Sequence, residues 1–309
     1  MKLDPQSLRL FISVLEEGTI AAASQREHIA AAAVSRRLSE LESLLGSQLL
    51  IRSNKGIEPT EAGTALMYMA RGVLNDLSGI VSEMQEYSHG KRGSVRLLAN
   101  ISAITQFLPA LLKSFMEKHP NIRVTLEQME SLAITRSVAE SRADIGLFTR
   151  MPHEASVEIH PFRTDELVVL LQADHPLADR ASVCFDEVLD FDVVSLHSGT
   201  HLHYQMLQAA NESGRTFSPR MEVSSYDALC LMVQTGMGIG ILPKGSTSAY
   251  SMPEMKILRL DEPWAQRELS MCVRNVETLT PAARLLFDHL QREQSAETPA
   301  VNGTAATSS

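Results

Sequence analysis

The sequence predicts a chain of two fold classes: a small helical unit with a basic hairpin, and a larger two-lobed α/β region joined to it by one long helix. Three observations carry this. Three short helical patterns with tight connections fill the first 45 residues, an apolar seam at steps of three and four runs from Leu66 to Tyr87, and strand and helix patterns alternate in two sets from Val95 to Gln291.

Apolar residues at Leu8, Phe11, Ile12 and Leu15 repeat with the period of an amphipathic helix, which Gly18 ends. The Ala-rich stretch Ile20–Ser24 predicts a second helix and Glu27–Ile29 a turn. A third helix follows from Ala31 to Leu45, with Val34, Leu38, Leu41 and Leu45 on its inner stripe and Gly46 as its stop. Three such helices, the third carrying outward bases, form a helix-turn-helix layout. Gln48–Ile51 and Gly56–Glu58 then read as short strands around Arg52-Ser53-Asn54-Lys55, a basic wing.

Thr60 is the expected N-cap of the long helix. Its seam of Leu66, Met69, Val73, Leu77, Ile80, Met84 and Tyr87 has coiled-coil spacing, an 11-residue repeat followed by a heptad-like stretch. From Thr60 to Tyr87 it spans about 42 Å at about 1.5 Å per residue. Nothing nearby in sequence covers so long a stripe, so a dimerisation helix is expected. Gly72 and Gly79 predict a bend or a close helix crossing.

His89–Gly93 reads as a hinge. Beyond it the first set is the strand Val95–Ala99, a helix Ile104–Lys118, the strand Ile122–Gln128, a helix Leu132–Ala139 and the strand Asp144–Phe148. Val157–Phe162 and Glu166–Leu171 are two further strands. The second set is Val193–Leu196, the helix Leu202–Glu212, Met221–Val223, the helix Tyr226–Thr235 and Gly238–Leu242, closed by Leu269–Arg274 and the helix Pro281–Gln291. Short connections of this kind mean parallel βαβ units and two lobes with a cleft between them. The small polar residues after Arg292 predict a disordered tail.

Composition sets limits on function. At 309 residues, 44% hydrophobic and 21% charged, the chain is an ordinary globular one, with no apolar run long enough to span a bilayer. Its N-terminus lacks a secretory pattern, so the cytoplasm is the expected compartment and no membrane partner is expected. The net charge of −9 does not exclude nucleic acid, because phosphate binding needs only local positive charge. Residues 1–60 carry seven bases and seven acids, and five of the bases fall between Arg26 and Lys55. Cys184, Cys230 and Cys272 lack CxxC spacing and fit reduced thiols; only Cys272 has a nearby base, Arg274, to favour a thiolate switch.

The stretches Leu8–Phe11, Glu17–Ala23, Val34–Leu38, Leu41-Glu42, Leu45–Arg52 and Pro59-Thr60-Glu61-Ala62-Gly63 together resemble the signature of the LysR family of bacterial transcription regulators. The resemblance continues through Phe107-Leu108-Pro109, Ala143–Gly146, Asp174–Leu177 and Gly236–Pro243. It implies a winged helix-turn-helix domain at 1–60, a linker and dimerisation helix at 61–88, a hinge at 89–93, a two-lobed effector-binding domain of the type II periplasmic-binding-protein kind at 94–292, and a tail at 293–309. As partners it implies double-stranded DNA, a small-molecule effector, further copies of the chain as homodimer and homotetramer, and RNA polymerase. One departure stands out. Where the family often has Ser-Gln-Pro at the start of the recognition helix, this chain has Ala30-Ala31-Ala32, without the hydroxyl cap or the base-reading amide.

DNA contacts are therefore expected from Ser35, Arg36 and Arg37, from methyl contacts of Ala31 and Ala32, and from Arg52 and Lys55 on the wing. Ligands of parallel α/β folds sit beyond the carboxyl ends of strands, beside helix starts. Those positions are Asn100, Ile101 and Ser102, Glu130 and Ser131, Phe148 and Thr149, His197 and Thr200, and Ser224. Ser102 and Thr200 lead them, each with plain helix capping as the competing reading. Hydroxyls at several helix starts suit a small carboxylate or other anion. His197, His201 and His203 lack an acid or thiol at ligand spacing, so no metal is expected there. No activated nucleophile, carboxylate pair or cofactor loop points to an enzyme, and no cofactor is expected. The rival reading is a solute-binding or amino-acid-processing enzyme with an unrelated helical bundle, which leaves wing and seam without purpose.

Overall fold

A computed structural model describes residues 3–53, 56–88, 93–248 and 254–297. The expectations for Lys55, for the hinge residues 89–92, for the side chain of Tyr87 and for the tail beyond Glu297 lie outside the described residues. The chain divides into two units, Met1–Gly93 with Arg136–Ala143, and Ser94–Thr135 with Asp144–Ser309.

The first unit holds α1 (Pro5–Glu17), α2 (Ile20–Arg26), α3 (Ala31–Leu45), the hairpin β1 (Leu50–Ser53) and β2 (Gly56–Pro59), and α4 (Glu61–Ser88). Asp4 caps α1 by accepting the Ser7 N–H at 3.0 Å, and Gly18 leaves the helix at φ +71°. Thr19 caps α2 through the Ala22 N–H. Ala30 gives α3 no side-chain cap, as its sequence predicts. Leu8, Leu10, Phe11, Val14, Val34, Leu38 and Leu41 form the core of this unit with Leu66 and Ala70 of α4. Two residues leave their expected places. Leu45, expected inside, is 40% exposed, because the core gives out before the last turn of α3. Leu66, expected on the dimerisation seam, is 7% exposed and sits in the core, one helical turn from the buried Ala70.

Two contacts fix where α4 starts. Thr60 Oγ1 accepts the Gly63 N–H at 3.0 Å, the expected cap. A Cβ on Gly63 would lie 2.1 Å from the Leu49 carbonyl oxygen, so only glycine admits this approach of helix to hairpin. From there α4 runs unbroken for 28 residues, and a Cβ on Gly79 would meet nothing within 4 Å. Glu140, inside the first unit, is buried and paired with Arg71 at 3.3 Å and Arg142 at 2.7 Å, and Arg71 also reaches Glu16 at 3.0 Å.

In the second unit the chain runs β3 (Ser94–Ala99), α5 (Ile101–Gln106), α6 (Leu108–Lys118), β4 (Arg123–Gln128), α7 (Ser131–Ala139, its end in the first unit) and β5 (Ile145–Thr149). It continues with β6 (Glu158–Gln172), β7 (Ser182–Val183), α8 (Phe185–Val188), β8 (Val193–Leu196) and α9 (His201–Glu212). It closes with β9 (Met221–Val223), α10 (Tyr226–Gln234), β10 (Ile239–Pro243), α11 (Lys244–Thr247), β11 (Met255–Leu260), β12 (Gln266–Val273) and α12 (Pro281–Glu297).

The strand order is β4-β3-β5-β12-β6-β10-β8-β9, with β11 also on β6 and β7 on β11. β3 pairs in parallel with β4 and β5, and β8 in parallel with β10 and β9, as βαβ patterning requires. Two separate apolar cores lie under these two halves, so the two-lobed expectation holds. The centre differs from it. Val157–Phe162 and Glu166–Leu171 are not two strands but parts of one, β6, which pairs antiparallel with β12 up to Glu166 and with β10 and β11 beyond it. The charged Arg163, Asp165 and Glu166 look like a loop in sequence, yet the backbone ladder passes through them. The helix expected from Ile104 breaks into α5 and α6 at Phe107, where Pro109 lies at the start of α6. α12 continues into the expected tail as far as Glu297, since Gln291–Glu297 is built mostly of good helix formers.

Candidate ligand cavity and nucleic-acid interface

The second unit holds a small polar cavity of about 20 Å³, partly open to solvent. Asn100, Ile101, Ser102, Glu130, Ser131, Thr149, Leu196, Thr200, His201, Leu202, Tyr226 and Arg267 line it. One side comes from the residues that follow β3 and from the start of α7, with the end of β5. The other comes from the end of β8 and the starts of α9 and α10, and β12 supplies Arg267.

The chemistry is built on two hydrogen-bond sets. In the first, Asn100 Oδ1 accepts the Ala103 N–H at 3.0 Å, which fixes the amide's orientation. Its Nδ2 then donates to Thr149 Oγ1 at 2.8 Å and to Ser131 Oγ at 3.1 Å, and Ser131 Oγ also accepts the Thr149 N–H at 3.2 Å. In the second, Arg267 Nε donates to Asp165 Oδ1 at 2.8 Å and Nη2 to Asp165 Oδ2. Nη2 also donates to Ser102 Oγ at 3.1 Å, Gln106 Nε2 donates to Asp165 at 2.8 Å, and Ser102 Oγ lies 3.1 Å from Tyr226 Oη. Arg267 and Asp165 are opposite each other in the β12–β6 register and both are buried.

Burial opposes the charge of Arg267, but the attraction and hydrogen bonds of Asp165 outweigh it and raise the guanidinium above its ordinary pKa. Burial pushes the Tyr226 hydroxyl up, with Arg267 acting the other way. His201 is pushed down to about 4, first by burial and then by Arg267, so it is neutral at physiological pH. Its buried Nδ1 has no hydrogen-bond partner among the described residues.

The structure brings together Asn100, Ser102, Glu130, Ser131, Thr149 and Thr200 as expected sites of one cavity. Three expected residues do not line it. Phe148 is fully buried and packs edge-on against His153 at 6.0 Å, because successive residues of β5 face opposite ways. Ser224 is exposed, and the next buried position at the head of α10 is Tyr226. His197 stays outside the lining, with Nε2 3.3 Å from Glu130 Oε1. Of the two leading residues, Thr200 caps α9 by accepting the His203 N–H, whereas the cap of α5 is Asn100 and Ser102 is not a cap. The three imidazoles point apart: His197 to Glu130, His201 to the cavity, and His203 within 3.2 Å of the Leu196 carbonyl. Burial raises Cys230 to about 11 and Cys272 to about 12, which keeps both as thiols at neutral pH.

Sequence reasoning missed Leu196, His201, Leu202, Tyr226 and Arg267. Arg267 is the costliest omission. Flanked by Gln266 and Glu268, it reads as a solvated base, and its strand was expected only from Leu269.

On the first unit, Ala31 and Ala32 are exposed at the head of α3, and Arg36 is 76% exposed, its Nε 3.8 Å from Glu40. Arg37 is turned back toward Asp4 at 3.5 Å and Ser7 at 3.4 Å. Ser35 is half-buried, and Arg52 is exposed on β1. Glu42 does not oppose these bases: its Oε1 accepts the Leu49 and Leu50 N–H groups at 2.8 and 3.1 Å and so holds the hairpin to α3.

A mostly helical unit with an arginine exposed on its third helix and another on its hairpin, followed by a two-lobed α/β unit with a polar cavity, is the architecture of a helix-turn-helix regulator. The profile described as "Bacterial regulatory helix-turn-helix protein, lysR family" matches residues 5–64, and "LysR substrate binding domain" matches residues 88–295; the chain belongs to the LysR family of transcriptional regulators. It is 24% identical over 282 residues to the HTH-type transcriptional regulator YvbU of Bacillus subtilis (strain 168), covering 91% of this chain and 95% of the relative. Its fold matches full-length CbnR complexed with its target DNA at TM-score 0.61 and 21% identity, over 94% of this chain and 99% of that one. It also matches the Synechocystis PCC6803 CcmR regulatory domain in complex with 2-PG at TM-score 0.61 and 23% identity, over 66% of this chain and 99% of that one. Among the described residues no helix is long and apolar enough to cross a membrane.

Proposed function

We propose that the chain binds a double-stranded operator as a homodimer, reading it with α3 and the wing, and that a small effector bearing a carboxylate or other anionic group changes that binding from within the cavity. The observation that carries this is a cavity walled by buried hydroxyl and amide side chains, in a chain whose exposed Arg36 on α3 is not needed for its own packing. Arg36 contacts DNA directly, with Arg52 and Lys55 on phosphate. Ala31 and Ala32 offer only methyl contact, and Arg37 serves chiefly to hold α3 against the cap of α1. The effector acts by binding one arrangement of the dimer better than another. The compartment proposed is the cytoplasm, and RNA polymerase is proposed as a further partner.

Met69, Val73, Leu77, Ile80 and Met84 are 41–62% exposed along one face of α4, and a second copy of that helix is their occupant. The unfilled space at Gly79 lets a partner helix come close. Leu77→Glu is expected to convert dimer to monomer in light scattering, and an unchanged mass contradicts the seam. Ser102, the cavity's best-placed hydroxyl, bonds to Tyr226 and Arg267 rather than to a base, which favours binding over turnover. The reading as a whole is tested by titrating the protein against DNA flanking its own coding sequence. Saturable binding that competitor DNA does not remove is expected, and no binding to that DNA contradicts it.

A further inference from the structure

The charges around the cavity are not those of an anion trap. Arg267 is the cation in its lining, and both its Nε and Nη2 are committed to the two oxygens of Asp165, which is itself buried and held by Gln106. The pair cancels in place. His201 brings no charge near neutral pH. Glu130 then leaves the wall with one negative charge that no lining cation balances, a poor setting for a ligand whose only charges are negative.

The hydroxyls are nevertheless arranged to give hydrogen bonds. The Asn100 amide is fixed by the Ala103 N–H, so its NH₂ must face Ser131 and Thr149, and both of those oxygens act as acceptors toward it. Ser131 Oγ accepts a second hydrogen from the Thr149 backbone. A hydroxyl whose lone pairs are spent in this way has its own proton left to donate. Ser131, with both lone pairs taken, therefore presents an O–H donor at the cavity wall; Thr149 Oγ1, with one taken, also keeps its proton to donate, and Glu130, next to Ser131 in the chain, presents an acceptor.

A donor pair beside an acceptor of full negative charge matches a ligand with a carboxylate next to an ammonium. We propose that the cavity binds a small α-amino acid or closely similar zwitterion, its carboxylate received by Ser131 and Thr149 and its ammonium by Glu130. This rests on the cavity being the effector site. Every charge is then matched, Arg267 by Asp165 and Glu130 by the ligand, while Ile101, Leu196 and Leu202 supply apolar walls. The limited room favours a compact side chain. His201 Nδ1, buried without a partner, is the remaining group that a polar side chain on the ligand can satisfy.

The test uses the full-length protein at neutral pH, by thermal shift and calorimetry. The probes are the standard amino acids, their 2-hydroxy acid counterparts (lactate for alanine, glycerate for serine), succinate and inorganic phosphate. At least one amino acid is expected to raise Tm and to bind about tenfold or more tighter than its hydroxy acid, with no response to phosphate. Glu130→Gln, isosteric and at a partly exposed position, should weaken the amino acid about tenfold and leave hydroxy-acid binding unchanged. His197→Ala controls for the contact of Glu130 with His197: it should leave the amino acid preference in place. Preference for hydroxy acid, succinate or phosphate overturns the proposal, as does equal loss of all ligands in Glu130→Gln or silence across the whole panel. The same preparation's binding to flanking DNA judges the regulator reading separately, so the two can fail independently.

Discussion

The helix-turn-helix unit and the ligand cavity are built on opposite terms. In the first, the working groups stand clear of the core: Arg36 and Arg52 are exposed, and the residues that hold α3 and the hairpin (Val34, Leu38, Glu42, Gly63) are others. In the cavity the working groups are the structure. Arg267, Asp165, Ser102 and Tyr226 are buried and satisfy one another across 102 to 165 residues of chain. Function and stability should therefore separate cleanly on the DNA side and resist separation at the buried groups of the ligand side.

The largest effect expected from this contrast is at the buried pair. Arg267→Ala leaves the Asp165 carboxylate buried without its cation and should cost about 3–5 kcal/mol in chemical denaturation. A loss below about 1 kcal/mol would mean that the pair is solvated and the cavity open.

Acid provides a second way to break the comparison. His201 titrates near 4 in the folded chain, whereas an unfolded imidazole titrates near 6.5. Between those values the unfolded chain binds a proton that the folded chain refuses, so stability falls as pH drops from about 6.5 toward about 4. His201→Gln should flatten that fall relative to wild type by about 1–3 kcal/mol, a share reduced by the partial exposure of the ring. Parallel pH profiles for the two proteins would contradict the burial of His201. The smallest change is on the DNA side, where Ala30→Ser restores a cap to α3 and should add about 0.5–1 kcal/mol. No gain in Tm would mean that the head of α3 is not limited by its missing cap.

The same contrast explains what the sequence reveals. The first unit is local: caps, periodic apolar residues, Gly46 and the Thr60–Gly63 turn lie within a few residues of what they control, so its helix ends are legible to within about three residues. Leu66 was misread because the seam and the core run side by side on α4, and their division depends on where α1 packs. In the second unit the strand ends and helix starts are legible, which is why Asn100, Ser131, Thr149 and Thr200 could be found. Arg267 and Asp165 could not, since nothing in a single strand marks a charge whose partner comes from a strand more than a hundred residues away. Nor does sequence show which way the Asn100 amide faces, and that orientation turns two hydroxyls into donors.

One operator titration tests the division of labour most directly. Wild type, Arg36→Ala and Glu130→Gln are titrated side by side, without ligand, against the DNA flanking the coding sequence. Arg36→Ala should bind about tenfold or more weakly, about 1.4 kcal/mol, while Glu130→Gln stays within about twofold of wild type and both variants keep the wild-type Tm. Unchanged affinity in Arg36→Ala, or a loss in Glu130→Gln as large as that in Arg36→Ala, would contradict the account.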